Sequence, residues 1–282
     1  MENKTPAEIL AYISDLGCTK VQRKFSAALI LAFLAGAFIS FSAQGANMMA
    51  YNLLANSDTY GLGRALAGAT FGTGLMLVLL AGGELVTGNT LIIISVLDRR
   101  VKVRRMLLNW LLIYIGNLAG ALFIAWMVYQ SGLFDSSGGL LGGMTIKIAV
   151  YKTSLPFHSA FFLGFMCNWL VCLAVWVSSG AGDTAGKILA ILCIVGLFVM
   201  SGFEHSIANM YYIPAGIFAK QNPLWLGKAA VSTAQLDGLN WISLFTKNLI
   251  PVTLGNIVGG AGMVGVLYWF SLGGAKPRKS GQ

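Results

Sequence analysis

The stretches Gly82-Gly83-Glu84-Leu85-Val86-Thr87-Gly88-Asn89 and Gly202-Phe203-Glu204-His205-Ser206-Ile207-Ala208-Asn209 decide how this chain folds. Both carry the pattern G-x-E-x4-N, and both interrupt strongly apolar sequence. Of the ten acidic residues, only Glu84 and Glu204 fall inside membrane-length apolar segments, each at the same place in its copy. A carboxylate at membrane depth costs roughly 2.5–3.5 kcal/mol on insertion scales, so such a residue is kept for a partner and a purpose.

The surrounding sequence is 56% hydrophobic and 10% charged, whereas soluble domains carry about a quarter charged residues. This composition excludes a soluble protein. Apolar runs begin near Phe25, Ala65, Met106, Phe157, Lys187 and Asn248, each long enough for the ~20 helical residues that a bilayer core requires. The runs are continuously apolar rather than alternating, which excludes barrel strands and predicts an all-α membrane protein with six transmembrane helices. Residues 25–272 form the predicted six-helix transmembrane domain, 1–24 an N-terminal segment and 273–282 a basic tail. The opening residues lack the apolar core of a signal peptide, so the N-terminus is expected to be kept.

Lys and Arg set the orientation. Lys4, Lys20, Arg23, Lys24, the cluster from Arg99 to Arg105, Lys187 and the tail residues Lys276, Arg278 and Lys279 fall on one side of the six-crossing arrangement; Arg64, Lys147, Lys152, Lys220, Lys228 and Lys247 fall on the other. The positive-inside rule then puts both termini in the cytoplasm of a bacterial-type inner membrane. The net charge of +9 is mostly this topology signal; the basic residues form no aromatic-interleaved patch, so no nucleic-acid partner is expected. Cys18, Cys167, Cys172 and Cys193 show no C-x-x-C spacing and read as small hydrophobes.

The repeat extends beyond the two loops. Asn109-x6-Gly116-Asn117-x2-Gly120 matches Asn248-x6-Gly255-Asn256-x2-Gly259 in the same order. Three crossings per half make the second half enter from the opposite side, which predicts an inverted 3+3 repeat. These glycines read first as close-packing faces. Only Leu91 to Leu97 remain apolar after the first loop, Ile188 to Met200 is short before the second, and Pro214 and Gly216 follow it. The second and fifth helices are therefore expected to be broken, a state tolerated at membrane depth only where it is buried in protein or lines a water-filled path.

Thr5-Pro6-Ala7-Glu8 has the form of a capping box, followed by Ile9, Tyr12, Ile13 and Leu16 on one face. This predicts a short amphipathic helix along the cytoplasmic interface; packing on a neighbouring subunit leaves the same pattern. Asp135 to Gly139 reads as loop, and Met144 to Leu155 as a short helix carrying Lys147 and Lys152 on the outer side.

His205, one of two histidines, directly follows Glu204. Imidazole exchanges protons near neutral pH, so in a permeation path it can pass one to an anion; a structural histidine would only bond a neighbouring helix. Thr87 in the first loop either faces the same path or bonds nearby backbone. Neither an H-E-x-x-H, a Cys/His cluster nor a G-x-S-x-G elbow occurs, so no metal, cofactor or enzymatic activity is expected.

Together, Gly82 to Thr90, Cys167-Asn168-Trp169-Leu170-Val171-Cys172-Leu173-Ala174-Val175-Trp176 and Ser201 to Met210 resemble the formate/nitrite transporter family over essentially the whole chain. The resemblance implies an aquaporin-like protomer assembled as a homopentamer, with one pore per protomer for formate, nitrite or hydrosulfide. By motif, His205 resembles the central pore histidine and Thr87 the threonine of a mobile loop, with Glu204 and Asn168 as supporting polar residues. Phe71 and Phe198 resemble the outer constriction, Leu75 and Leu85 the inner one, and Lys152 the vestibule lysine. Val86 stands where the family commonly has phenylalanine or isoleucine, which puts the tightness of the inner constriction in question.

The expected function is a channel or proton-coupled transporter for small anions of weak acids, formate foremost, with His205 pairing anion and proton. Nitrite or hydrosulfide in the same role, a neutral-solute pore, and a non-conducting scaffold are the alternatives.

Overall fold

The computed structural model describes residues 2–274. The basic residues Lys276, Arg278 and Lys279 lie outside the described residues. The described residues form α1 (Pro6–Gln22), α2 (Phe25–Ala50), α3 (Ser57–Gly82), α4 (Val86–Leu97), α5 (Val103–Gln130), α6 (Ser136–Ser154), α7 (Phe157–Gly180), α8 (Thr184–Met200), α9 (Ser206–Ala219), α10 (Pro223–Ala229), α11 (Thr233–Gly238) and α12 (Trp241–Ser271), with a 3-10 turn over Leu133–Asp135. There is no strand among the described residues.

α2, α3, α5, α7 and α12 are long and apolar enough to cross a membrane, whereas α4 and α8 are shorter apolar helices. Their surfaces have the polarity expected in lipid. Leu107, Leu111 and Ile115, one turn apart on α5, are about half exposed, while Asn89, Asn117, Asn168, Asn209 and Asn256 are almost completely buried. Apolar outside and polar inside is stable only where the solvent is hydrocarbon.

Several helices begin before the apolar runs do. α3 starts at Ser57 rather than near Ala65, and α12 at Trp241 rather than near Asn248, because a helix continues past the hydrocarbon edge with polar residues that a hydropathy count leaves out. The helix expected from Met144 begins earlier too, running as α6 to Ser154, though Ser137, Gly138 and Gly139 have non-helical backbone at its start.

Non-helical backbone separates α3 from α4 and α8 from α9. α3 ends in a π-type turn over Val78–Gly82 with Gly82 at φ +98°, and the backbone is extended through Leu85 until α4 begins at Val86. α8 ends at Met200, Gly202 takes φ +79°, and His205 is extended before α9 begins at Ser206. A positive φ carries little cost only for glycine, which is why both loops open on Gly-x-Glu.

α2 packs against α5 and α3, and α7 against α12 and α8. The close approach needs small residues: a side chain on Gly120 would strike the carbonyl of Phe33, and one on Gly259 the carbonyl of Phe165.

α1 is folded against its own chain. Its capping box is formed, with Glu8 accepting from the Thr5 backbone N–H at 2.7 Å. Ile9, Leu10, Ile13, Ser14 and Gly17 are buried against α4, α5 and α7 of the same chain. Lys4 N donates to Gly180 O at 2.8 Å, and Ser95 Oγ to Ser14 O at 2.8 Å. Asp98, after α4, accepts from Ser14 Oγ at 2.5 Å and from Trp269 Nε1 at 2.7 Å. α1 and the end of α12 thus hold the far end of α4. Nearby, the Arg100–Asp15 contact of 2.6 Å raises the guanidinium pKa further above its ordinary value, so Arg100 stays charged.

Candidate functional site

Each broken helix is stitched to its neighbours by the same residue types in the same order. In the first, Glu84 N donates to Leu31 O at 3.0 Å. Asn117 Nδ2 donates to Glu84 O and Ala32 O, both at 2.8 Å, and Asn117 Oδ1 accepts from Val86 N at 3.0 Å. In the second, Glu204 N donates to Leu163 O at 3.2 Å. Asn256 Nδ2 donates to Gly164 O at 2.7 Å and Glu204 O at 3.1 Å, and its Oδ1 accepts from Ser206 N at 2.9 Å. Backbone freed by a broken helix must find partners inside the protein; one asparagine per loop supplies them. The sequence matched Asn117 with Asn256 but gave only the neighbouring glycines a role.

The carboxylates are treated alike. Glu84 accepts from Lys20 Nζ at 3.0 Å and Asn89 Nδ2 at 2.9 Å, and Asn89 Nδ2 also reaches Asn109 Oδ1 at 2.9 Å. Glu204 accepts from Lys152 Nζ at 2.8 and 3.0 Å and Asn209 Nδ2 at 2.6 Å, and Asn209 Nδ2 reaches Asn248 Oδ1 at 2.7 Å. Asn109 and Asn248 each donate back to the main chain of the lysine, at 3.4 and 2.9 Å. Lys20, counted in the sequence only as a topology charge, is thus the counterpart of Lys152, and α1 the counterpart of α6. Arg23, at 3.4 Å from Glu84, has no counterpart at Glu204. A buried carboxylate with a matched cation and amide donors satisfies the condition for keeping charge in the interior.

The two copies meet where they differ. His205 Nε2 lies 3.0 Å from Thr87 Oγ1, and His205 Nδ1 accepts from Ala208 N at 3.2 Å, capping α9. With Nδ1 an acceptor, the hydrogen-bond network assigns the proton of the neutral ring to Nε2, which therefore donates to Thr87. Asn168 Nδ2 reaches Thr87 O at 3.2 Å and Asn256 O at 2.7 Å, tying the first loop to α12. The matching position to His205 holds Leu85, an apolar side chain.

Cavities flank this pair. His205, Phe198, Phe71, Glu204 and Lys152 line one of about 500 Å³. The Phe71 and Phe198 rings stand edge-on, 5.8 Å apart, and Phe198 lies 6.1 Å from His205. Leu75, Leu85 and Lys20 line the other, of about 50 Å³, which α1 covers with Ile13, Leu16 and Gly17. Thr87 and Val86 line neither; Val86 is buried, its N–H on Asn117.

Membrane-length helices enclosing charged, lysine-paired loops define a polytopic membrane transport protein. The chain belongs to the formate/nitrite transporter family, whose profile, described as "Formate/nitrite transporter", matches residues 7–270. It is 36% identical to a probable formate transporter of Methanothermobacter thermautotrophicus, over 95% of this chain and 97% of that protein. It is 34% identical to the formate channel FocA of Haemophilus influenzae, over 93% of this chain and 92% of that protein. Among solved structures it is similar to a pentameric formate channel with formate bound, at 36% identity and a TM-score of 0.78, covering 88% of this chain and 97% of the other.

Proposed function

We propose that this chain conducts formate as a small monovalent anion of a weak acid and pairs it with a proton at His205. The contact that carries the proposal is His205 Nε2 on Thr87 Oγ1, buried, with His205 lining one cavity and Leu85 and Gly88 near Thr87 lining another, each cavity also lined by a lysine. The names of the two relatives above, a probable formate transporter and a formate channel, support formate as the first substrate. In this reading the two halves form an inverted 3+3 repeat of six crossings, with α3–α4 and α8–α9 as the broken helices. The protomer is aquaporin-like, the assembly a homopentamer, and both termini face the cytoplasm of a bacterial-type inner membrane. Residues 1–24 and 273–282 are then cytoplasmic flanks of the channel domain 25–272.

Lys152 and Lys20 draw the anion toward its mouths, and the Phe71/Phe198 and Leu75/Leu85 pairs exclude hydrated ions. An unpaired anion crossing such apolar rings carries a large desolvation cost, which protonation to the neutral acid removes. The anion displaces Thr87 Oγ1 as the acceptor of the Nε2–H. A proton enters the ring at Nδ1, which lets go of the Ala208 N–H, as the Nε2 proton passes to the anion; the ring ends neutral and the cargo leaves as the acid. Asn168 and the Glu204–Lys152 pair hold the ring and its loop in place.

Flux of formate into proteoliposomes tests this, comparing wild type with His205→Asn. The wild type is expected to co-transport protons, with flux rising as pH falls; the variant is expected to lose both. Unchanged coupling in the variant refutes the role of His205. Nitrite or hydrosulfide as the preferred cargo would appear in a competition panel, and a neutral-solute pore as glycerol swelling without anion flux.

A further inference from the structure

Phe71 lies on α3 and Phe198 near the end of α8, with ring centroids 5.8 Å apart. The gap between the two rings is therefore set by how α3 and α8 are held together. Arg64, Gly68 and Gly72 stand one turn apart along α3, on the side that meets α8. A side chain on Gly68 would lie 2.7 Å from Gly196 O, and one on Gly72 2.8 Å from Leu192, so the backbones nearly touch there. One turn before Gly68 that contact ends, and Arg64 takes over.

Arg64 Nη2 donates to Val199 O, and Nε to Met200 O at 3.4 Å. These are the last carbonyls of α8, groups that a helix end leaves without intrahelical partners and that carry its negative dipole. The next turn hangs from the same place: Gly202 N donates to Val199 O and Phe203 N to Phe198 O, both at 3.1 Å. A side chain on Gly202 would come within 3.4 Å of Arg64 Nη2, so the guanidinium also lies beside that turn. One fork thus spans the stretch that leads from Phe198 to Glu204 and His205, and Arg64, Phe71 and Phe198 line the same cavity. The sequence counted Arg64 only as a topology charge. The other half lacks this brace, since the position before Gly202 that matches Arg64 before Gly82 is Thr184, which carries no charge.

We propose that Arg64 is a positioning residue that sets the size of cargo the channel accepts, its fork holding the end of α8, and with it Phe198, against Phe71. The proposal rests on the anion-channel reading and deepens it by naming what limits the carboxylates that pass. A planar guanidinium meets two carbonyls at once, a geometry that the point charge of lysine does not reproduce. Without the fork the end of α8 moves away from α3, and the gap between the rings admits a carboxylate wider than formate. This effect is separable from charge. Formate, acetate and lactate are all monoanions, so a change in potential at the mouth acts on the three alike, whereas a change in aperture alters their ratio.

The test measures flux of formate, acetate and lactate into proteoliposomes carrying the full-length protein, for wild type, Arg64→Met, Arg64→Lys and Gly68→Ala, with the oligomer checked by size exclusion. Hydrogen bonds from a charged donor favour one arrangement over another by roughly tenfold, so the formate-over-lactate ratio is expected to fall about tenfold in Arg64→Met and about threefold or more in Arg64→Lys. Gly68→Ala keeps Arg64 but drives a methyl into the Gly196 carbonyl, which spreads the two helices and is expected to lower the ratio as well. A variant that is merely less stable loses flux of all three cargoes together. An unchanged ratio in Arg64→Met, or a wild-type ratio in Arg64→Lys, overturns the brace and leaves the channel reading intact. Should the Arg64 variants fail to assemble, Gly68→Ala decides: an unchanged ratio there overturns the link between α3–α8 spacing and cargo size. Wild type that passes lactate as readily as formate also overturns the brace alone, and wild type that passes none of the three overturns both readings.

Discussion

Replacing Lys152 by methionine keeps most of the side-chain volume and removes the charge that faces Glu204. The two groups are in contact at 2.8 Å, with the Glu204 side chain 2% exposed and that of Lys152 11%. At an effective dielectric constant of about 20, unit charges ~3 Å apart attract by roughly 5 kcal/mol. Removing one partner of a buried pair costs about 3–5 kcal/mol, because the other charge is left without compensation. Asn209 Nδ2 still donates to Glu204 at 2.6 Å, which favours the lower end, about 3 kcal/mol. For a chain of this size that corresponds to a fall in Tm of roughly 6–10 °C. The double variant Lys152→Met/Glu204→Gln removes both charges and keeps an acceptor for Asn209, so it is expected to lie within about 1 kcal/mol of wild type. Thermal unfolding in detergent of the single and double variants measures the difference. Equal destabilisation of the two refutes the argument, since the loss would then come from the lysine stem against the Tyr212 ring, 5.1 Å from Nζ, and not from the charge.

Asn256→Leu strands the Ser206 N–H and the Glu204 carbonyl, and is expected to destabilise by about 2–5 kcal/mol; Asn117→Leu, doing the same to Val86 N and Glu84 O, should fall in the same range by thermal unfolding, and a tolerated variant at either position contradicts the stitching role. Thr87→Val removes the partner of His205 Nε2 without changing the fold, so melting is expected to shift by no more than about 1.5 kcal/mol while the pH dependence of formate flux changes. Gly260→Ala would push a methyl into Asn168 Nδ2, Thr90 Oγ1 and Cys172 Sγ, displacing the clamp on Thr87; overpacking of this kind costs about 1–3 kcal/mol, and reduced flux with the oligomer intact is the expected readout. Arg100→Ala breaks the half-exposed contact to Asp15 and a 3.2 Å hydrogen bond to Ser14 Oγ, and its effect on melting should stay near or below about 1 kcal/mol.

Most of the site was legible because buried charge in apolar sequence is conspicuous. Glu84, Glu204 and His205 stand out against their neighbours, and glycine at the start of each loop announces the left-handed turns found at Gly82 and Gly202. Lys20 was not legible. It sits in a polar amphipathic helix among other cations, so only the hydrogen bond to Glu84 separates it from a topology charge; a lysine the same distance ahead of α2 as Lys152 is ahead of α7 was the available signal.

The sequence by itself determined that the chain is helical with several membrane-length apolar helices, and that Glu84, Glu204 and His205 interrupt apolar sequence, because these follow from composition and local spacing. The tertiary structure alone decided that α1 folds back onto α4, that Asn117 and Asn256 tie down the loops, and that Thr87 reaches His205. Those contacts join residues far apart in the chain, and their geometry depends on how closely α2 meets α5 and α7 meets α12, which no local periodicity encodes.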